Sequence, residues 1–222
     1  MGEGSGVTET FDCTGDAERE AGLAAAAAAV RRGRLIVLPT DTVYGVGADA
    51  FNPAAVASLL AAKGRGRDMP VPVLVASTEM ADAVIEDLPA AGRALTERFW
   101  PGPLTVVVRH TPHLAWDLGD ARGTVAVRIP DNPIALSVIT TTGPLAVSSA
   151  NHTGNPPPTT AMAARLELGA AVDVYLDGGP APEAALASSI VDLTGATPVL
   201  LRAGALDLDA LREVCPEVAP AP

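Results

Sequence analysis

Lysine is almost missing from this sequence: of its 15 basic residues only Lys63 is one, and the rest are arginine. Acids outnumber bases, leaving a net charge of -11 and a pI of about 4.6. That balance argues against a broad electrostatic grip on nucleic acid, which needs many Lys and Arg contacts to phosphates. Aromatic residues make up only 3%. This is few for a base-stacking surface, and it leaves the core to be built from Ala, Val, Leu and Ile. Cysteine is limited to Cys13 and Cys215, near opposite ends. No Cys-x-x-Cys or Cys/His spacing offers a structural zinc site, and two free thiols in a reducing compartment are expected. The alanine-rich apolar stretch 23–30 covers eight residues, against the roughly 20 that a membrane-spanning helix needs. The first residues show no basic segment followed by an apolar core. A cytoplasmic protein without membrane attachment is therefore expected.

What is present describes a globular chain. Hydrophobic residues are 48% and the mean hydropathy is +0.28, which excludes a disordered polymer. A chain of 222 residues can bury a substantial core as one domain. The 20 prolines and 21 glycines call for many loops and sharp turns. Spacing predicts a helix over 16–32, capped by Asp16 and ended by Gly33. A second helix is expected over 53–62, with Asn52 as cap and Pro53 in its first turn. Further helices are expected over 78–86, 89–98, 132–140, 160–168 and 207–214. Strands are expected over 35–38, 71–75, 104–109, 124–129, 145–148, 172–176, 189–193 and 199–202. Mixed strands and helices without an internal repeat predict one α/β domain: a twisted mixed β-sheet with flanking helices. Its expected bounds are 16–214, preceded by a tail and edge strand over 1–15 and followed by a C-terminal tail over 215–222.

Four segments carry groups suited to chemistry. Lys63-Gly64-Arg65-Gly66-Arg67 sets a compact ammonium beside guanidinium forks, with glycines that let a backbone approach a ligand. It suits phosphate or carboxylate groups, the plain alternative being a solvated basic turn. A lysine in a loop is expected to add little to the core. The sequence holds no Gly-x-x-x-x-Gly-Lys-Ser/Thr, so this is not a Walker-type loop. In the stretch 39–47, an extended backbone would put Thr40, Thr42 and Tyr44 on one face, as an ordinary strand edge also would. Over 124–130, Val125, Val127 and Ile129 should face a core. Thr124, Ala126 and Arg128 then share the other face, where Arg128 can hold a carboxylate through two bonds. Ser148-Ser149-Ala150-Asn151 follows a strand, and such small polar residues form either an anion nest or a plain turn. His110, His113 and His152 have no acidic partner at fixed spacing, so no catalytic triad or metal ligand is assigned.

Taken in order, these segments resemble the YrdC/Sua5 family, the L-threonylcarbamoyladenylate synthases. The likeness runs through Pro39 to Gly47, Ala62-Lys63-Gly64-Arg65, Trp100-Pro101-Gly102-Pro103-Leu104-Thr105, Val125 to Pro130, Ser148 to Asn151, Ser189-Ile190-Val191-Asp192 and Leu200-Leu201-Arg202. The resemblance implies an open α/β fold with a positive concave cavity, in a short single-domain form. It implies that L-threonine, bicarbonate and ATP, with Mg2+, give threonylcarbamoyladenylate and pyrophosphate. The product would feed N6-threonylcarbamoyladenosine formation at position 37 of tRNA, on a separate downstream threonylcarbamoyl transferase complex. Carried over by motif, Lys63 and Arg65 are catalytic, and Thr42, Arg128 and Val147 hold threonine. Arg65, Thr124, Ser149, Asn151, Pro157 and Arg202 bind ATP. Where many members read Pro, then Asn-Pro-Leu and a strand histidine, this sequence has Gly66, Met69-Pro70-Val71 and Leu74. Arg67 is a candidate replacement contact to phosphate. The loop 155–158 is a candidate lid.

Two other classes remain to be separated from this one. A non-catalytic RNA-binding module fits a basic concavity, but the acidic balance and few aromatics weigh against it, so direct tRNA binding is expected to be weak or absent. A carbamoyl-transfer activity like that of hydrogenase maturation proteins would call for extra domains that these residues do not supply.

Overall fold

The computed structural model describes residues 8–182 and 185–221. The first elements in chain order are β1 (Glu9–Asp12), α1 (Asp16–Arg31), β2 (Ile36–Leu38), β3 (Gly45–Asp49) and α2 (Pro53–Lys63). Next come β4 (Val73–Leu74), α3 (Thr78–Val84), α4 (Ala90–Phe99), β5 (Leu104–Arg109), β6 (Thr124–Arg128), α5 (Pro133–Thr142) and β7 (Leu145–Ser149). The last are α6 (Ala161–Leu168), β8 (Val174–Asp177), β9 (Ser189–Asp192), β10 (Val199–Arg202), α7 (Leu208–Arg212) and β11 (Ala219–Pro220). The strands form one sheet in the order β1-β8-β2-β3-β7-β4-β6-β5-β9-β10-β11. It is mixed: β1/β8, β2/β8, β4/β6, β5/β9 and β10/β11 pair parallel, the others antiparallel.

Strand alternation decides what covers each face. In β2, Val37 packs into one core cluster while Ile36 and Leu38 pack into the other. β8 repeats this, with Tyr175 on the first side and Val174 and Leu176 on the second. On the second side lie Ala26, Ala29 and Val30 of α1 and Ile134, Ala135, Val138 and Ile139 of α5. On the first lie Leu59 of α2, Leu95 of α4 and Ala164 of α6. The alanines of α1 let it sit close to the sheet and to α5, which suits a chain short of aromatics.

Local chemistry explains the boundaries. Asn52 Oδ1 accepts from Ala54 and Ala55 N–H at 3.1 and 3.2 Å, capping α2 ahead of Pro53. Gly64 closes α2 in the left-handed conformation at φ 58°, which only glycine adopts freely. Lys63 is therefore the last helical residue rather than part of the loop. Gly15, not Asp16, takes the cap position of α1. β4 is shorter than the expected 71–75 because Pro70 and Pro72 lack the N–H that a ladder uses.

Several expectations need correction or completion. Residues 215–221 are not a tail: Cys215 and Val218 are buried, and β11 pairs with β10. The stretch 39–44 is bent rather than extended, and a strand begins at Gly45. The three hydroxyls accordingly do not share a face, since Tyr44 Oη donates to the Gly179 carbonyl while Thr40 and Thr42 bond each other at 3.0 Å. Cys13 and Cys215 are both free and buried. Of the expected tail and edge strand over 1–15, residues 1–7 lie outside the described residues, and the edge strand is β1, Glu9–Asp12.

Candidate functional site

α1 and α5 cover only part of their face of the sheet. Beyond β7, that face carries Leu74 of β4, Ala126 and Arg128 of β6, Val107 of β5 and Ile190 of β9, and these line an open cavity of about 380 Å³. Such a volume suits a small ligand. Two loops, 65–72 and 118–124, wall one side, and the turn 40–45 walls another. Gly45 leaves room here: a Cβ on it would lie 2.6 Å from Val147 Cγ1.

Arg128 stands on the cavity floor, 5% exposed. Its Nε donates to the Gly102 carbonyl at 2.9 Å, Nη1 to Thr42 Oγ1 at 3.0 Å, and Nη2 to Asp41 Oδ1 at 2.5 Å. The Gly102 acceptor is offered by the turn that follows the cis Trp100–Pro101 bond. Of five guanidinium N–H donors, three have these partners, and two remain for a ligand. Burial pushes the Arg128 pKa down, and the Asp41 charge opposes that. Asp41 Oδ1 also accepts from Asp131 N–H at 3.0 Å, while its buried Oδ2 has no partner.

Two further guanidinium groups converge on the cavity. Arg65 is fixed by the Met69 and Pro70 carbonyls at 2.8 and 2.9 Å and by Ser148 Oγ at 3.2 Å. Arg202 donates from Nε and Nη2 to the Ser188 carbonyl at 2.9 and 2.7 Å. Neither forms an ion pair among the described residues. Burial pushes both pKa values down; for Arg202 the charges of Arg128 and Arg65 push further. Three guanidinium groups around one cavity, with Arg202 feeling the charge of the other two, suit an anionic ligand. An overall charge of -11 thus surrounds a locally positive pocket.

Of the residues named for threonine, Thr42, Arg128 and Val147 all line this cavity. Of those named for ATP, Arg65, Thr124, Ser149, Pro157 and Arg202 line it too. Lys63, Asn151 and Arg67 do not. Lys63 is 2% exposed and sits behind the 149–151 turn, where Nζ donates to the Ser149 and Asn151 carbonyls, the latter at 2.7 Å. Burial, with Arg65 adding repulsion, lowers its pKa to about 8. A loop lysine that adds little to the core is therefore not what the structure holds. The Asn151 side chain turns to the His152 and Asn155 carbonyls at 2.9 and 2.7 Å, and its Oδ1 is buried without a partner. Arg67 pairs with Asp117 through two bonds, at 2.7 and 3.1 Å. The candidate lid 155–158 is tied at both ends: Asn155 Nδ2 donates to Glu167, and the Pro158 carbonyl accepts from Tyr44 N–H at 3.0 Å.

Sequence reasoning missed Asp41 and Ser188. Asp41 sits inside a motif already singled out, so its place beside Thr42 was a usable signal. Nothing local marks Ser188, whose carbonyl and Oγ hold Arg202 from 14 residues away.

The model of the Sua5/YciO/YrdC domain, described as telomere recombination, matches residues 28–204. The chain belongs to the Sua5/YciO/YrdC family. A putative threonylcarbamoyl-AMP synthase of Mycobacterium tuberculosis is 52% identical over 208 residues, covering 94% of this chain and 95% of that protein. The threonylcarbamoyl-AMP synthase of Pyrococcus abyssi is 38% identical over 194 residues, covering 87% of this chain and 57% of that one. The crystal structure of P. abyssi Sua5 complexed with L-threonine superposes with a TM-score of 0.91 at 35% identity, over 97% of this chain and 63% of that chain. The chain thus spans somewhat under two thirds of the Pyrococcus protein. Within the family pattern, the departure at Leu74 lies on the cavity floor, 4% exposed, and that at Met69 lies at the surface, 39% exposed.

Proposed function

We propose that this chain is a threonylcarbamoyl-AMP synthase, joining L-threonine, bicarbonate and ATP into L-threonylcarbamoyladenylate with release of pyrophosphate. The observation that carries the reading is the convergence of Arg128, Arg65 and Arg202 on one cavity. It agrees with the names of the relatives and with the threonine complex of the Pyrococcus protein.

The chemistry needs anions held together. The threonine amine attacks bicarbonate carbon and water leaves, giving a carbamate. A carbamate oxygen then attacks the α-phosphorus of ATP, and the bond to the β-phosphate oxygen breaks to release pyrophosphate. Arg128 and Thr42 receive the threonine carboxylate on the floor, beside the Val147 backbone. Arg65 and Arg202 face the phosphates and offset the charge that grows there. Thr124, Ser149 and Pro157 shape the nucleotide side. Lys63 and Asn151 act from behind the wall, Lys63 by fixing the carbonyls of the 149–151 turn. Proximity and charge compensation do most of this work, and no covalent enzyme intermediate is required.

Among the described residues no three His, Cys, Asp or Glu cluster as metal ligands. Magnesium in this reading arrives with ATP as part of the substrate, with phosphate oxygens and water as its ligands. The product then passes to a separate transferase for N6-threonylcarbamoyladenosine formation in the cytoplasm. No helix among the described residues is long and apolar enough to cross a membrane.

The test is pyrophosphate release by the purified protein with ATP, magnesium and bicarbonate, with and without L-threonine. Release that requires both threonine and bicarbonate is expected. Threonine-independent release, or none from folded protein, overturns the reading.

A further inference from the structure

The basic loop and the loop 117–121 beside it on the same cavity wall are fastened together. Arg67 Nη2 and Nη1 bond Asp117 Oδ1 and Oδ2 at 2.7 and 3.1 Å, and Nε lies 3.6 Å from Asp120 Oδ1. The backbone joins in: Asp120 N–H donates to the Arg67 carbonyl at 2.8 Å, and Val71 N–H donates to the Leu118 carbonyl at 3.0 Å. Gly119 lets the strands of this clasp approach. Its φ is +101°, and a Cβ there would lie 2.8 Å from the Arg67 carbonyl oxygen. Asp117 Oδ1 also accepts from Gly119 N–H at 3.3 Å, which sets the carboxylate toward Arg67.

What the clasp encloses gives it a purpose. Between Arg65 and Val71 the basic loop wraps around the Arg65 side chain, whose Nε and Nη2 are held by the Met69 and Pro70 carbonyls. Leu118, Ala121 and Thr124, from the other loop, line the same cavity wall. Fixing one loop to the other therefore fixes where the Arg65 guanidinium stands. The loop has particular need of this, since Gly66 adds backbone freedom beside Arg65.

We infer that Arg67 is a positioning residue: held by Asp117 and Asp120, it clasps the loop 66–71 to the loop 117–121 and so orients Arg65 toward the ATP phosphates. The inference rests on the reading that the cavity takes ATP. It also replaces the expectation that Arg67 touches phosphate itself.

The two roles give opposite signs for one substitution. If Arg67 contacts phosphate, Asp117→Asn frees it and ATP binds as well or more tightly. If Arg67 clasps, Asp117→Asn and Arg67→Ala both weaken ATP, each up to roughly five-fold, as suits an exposed charge pair. The reversed pair Arg67→Asp/Asp117→Arg then recovers most of the loss. ATP affinity is measured by calorimetry, and amide exchange at Val71 and Asp120 is followed in the ligand-free protein. Faster exchange at both amides in Asp117→Asn, with weaker ATP binding and recovery in the reversed pair, is expected. Unchanged or tighter ATP binding in Asp117→Asn, or unchanged exchange, overturns the clasp. Should the wild type bind no ATP at all, the proposed function fails, and the exchange comparison alone decides whether the loops are clasped.

Discussion

The cavity has a floor and a lip, and each is built around an arginine paired with aspartate. On the floor, the side chains of Arg128 and Asp41 are 7% and 14% exposed; at the lip, those of Arg67 and Asp117 are 54% and 42% exposed. The floor pair gains strong attraction in a low dielectric but carries a heavy desolvation cost, so it holds only while both partners and their hydrogen bonds are present. The lip pair is screened by water and contributes little to stability. Equal chemistry thus serves unequal ends: the floor fixes a binding group for good, while the lip adjusts one.

The comparison breaks first at Arg128. Arg128→Ala leaves the buried Asp41 carboxylate without its cation and is expected to cost about 3–5 kcal/mol of stability, read by urea unfolding. Arg128→Lys keeps a charge but loses the fork, so its main effect should be a raised KM for threonine with the KM for ATP little moved. A loss below about 1 kcal/mol in Arg128→Ala would mean that the floor behaves like the lip.

Lys63 comes next, and it sharpens the comparison through pH. Its folded pKa of about 8 lies below the ordinary 10.5. Between these values the unfolded chain binds more protons, so stability rises with pH across that window. The full cost of burying the ammonium is present below pH 8 and is lost above 10.5. Lys63→Met removes this rise, and it costs about 1–3 kcal/mol at neutral pH because two carbonyls lose their donor. Urea unfolding of both proteins between pH 7 and 10 checks it. A wild-type profile parallel to that of Lys63→Met would place Lys63 in water.

The smallest effect is expected at the lip. Arg67→Ala should leave the urea midpoint indistinguishable from wild type. A clear loss of stability there would make the clasp part of the folding core.

Much of this was legible in the sequence. β5 and β10 fall where spacing put them, because β-branched and leucine runs ended by turn residues are strong local signals. The parity of 124–128 correctly put Arg128 opposite the core face, and Asn52 was readable as a cap. Other features were not local. β3 begins at Gly45 and carries two glycines, which are poor strand formers locally; its pairing with β2 and β7 makes it a strand. Lys63 reads as part of a basic loop because the acceptors that bury it are 86 and 88 residues away. Asp41 and Asp117 meet their arginines across 87 and 50 residues. Charge patterning along a chain carries no trace of such partners.

The position of β8 has a consequence in time. It lies between β1 and β2, and the Thr8 hydroxyl bonds the Val172 carbonyl 164 residues later. At a synthesis rate of about 5–20 residues per second, the first strand waits roughly ten to thirty seconds for its neighbour to be made. For most of that interval α1 has neither α5 nor β8 beneath its alanines, since α5 ends at Thr142 and β8 begins at Val174. The N-terminal segment is thus the earliest part synthesised and among the last to be secured, and chaperone contact during translation should concentrate there.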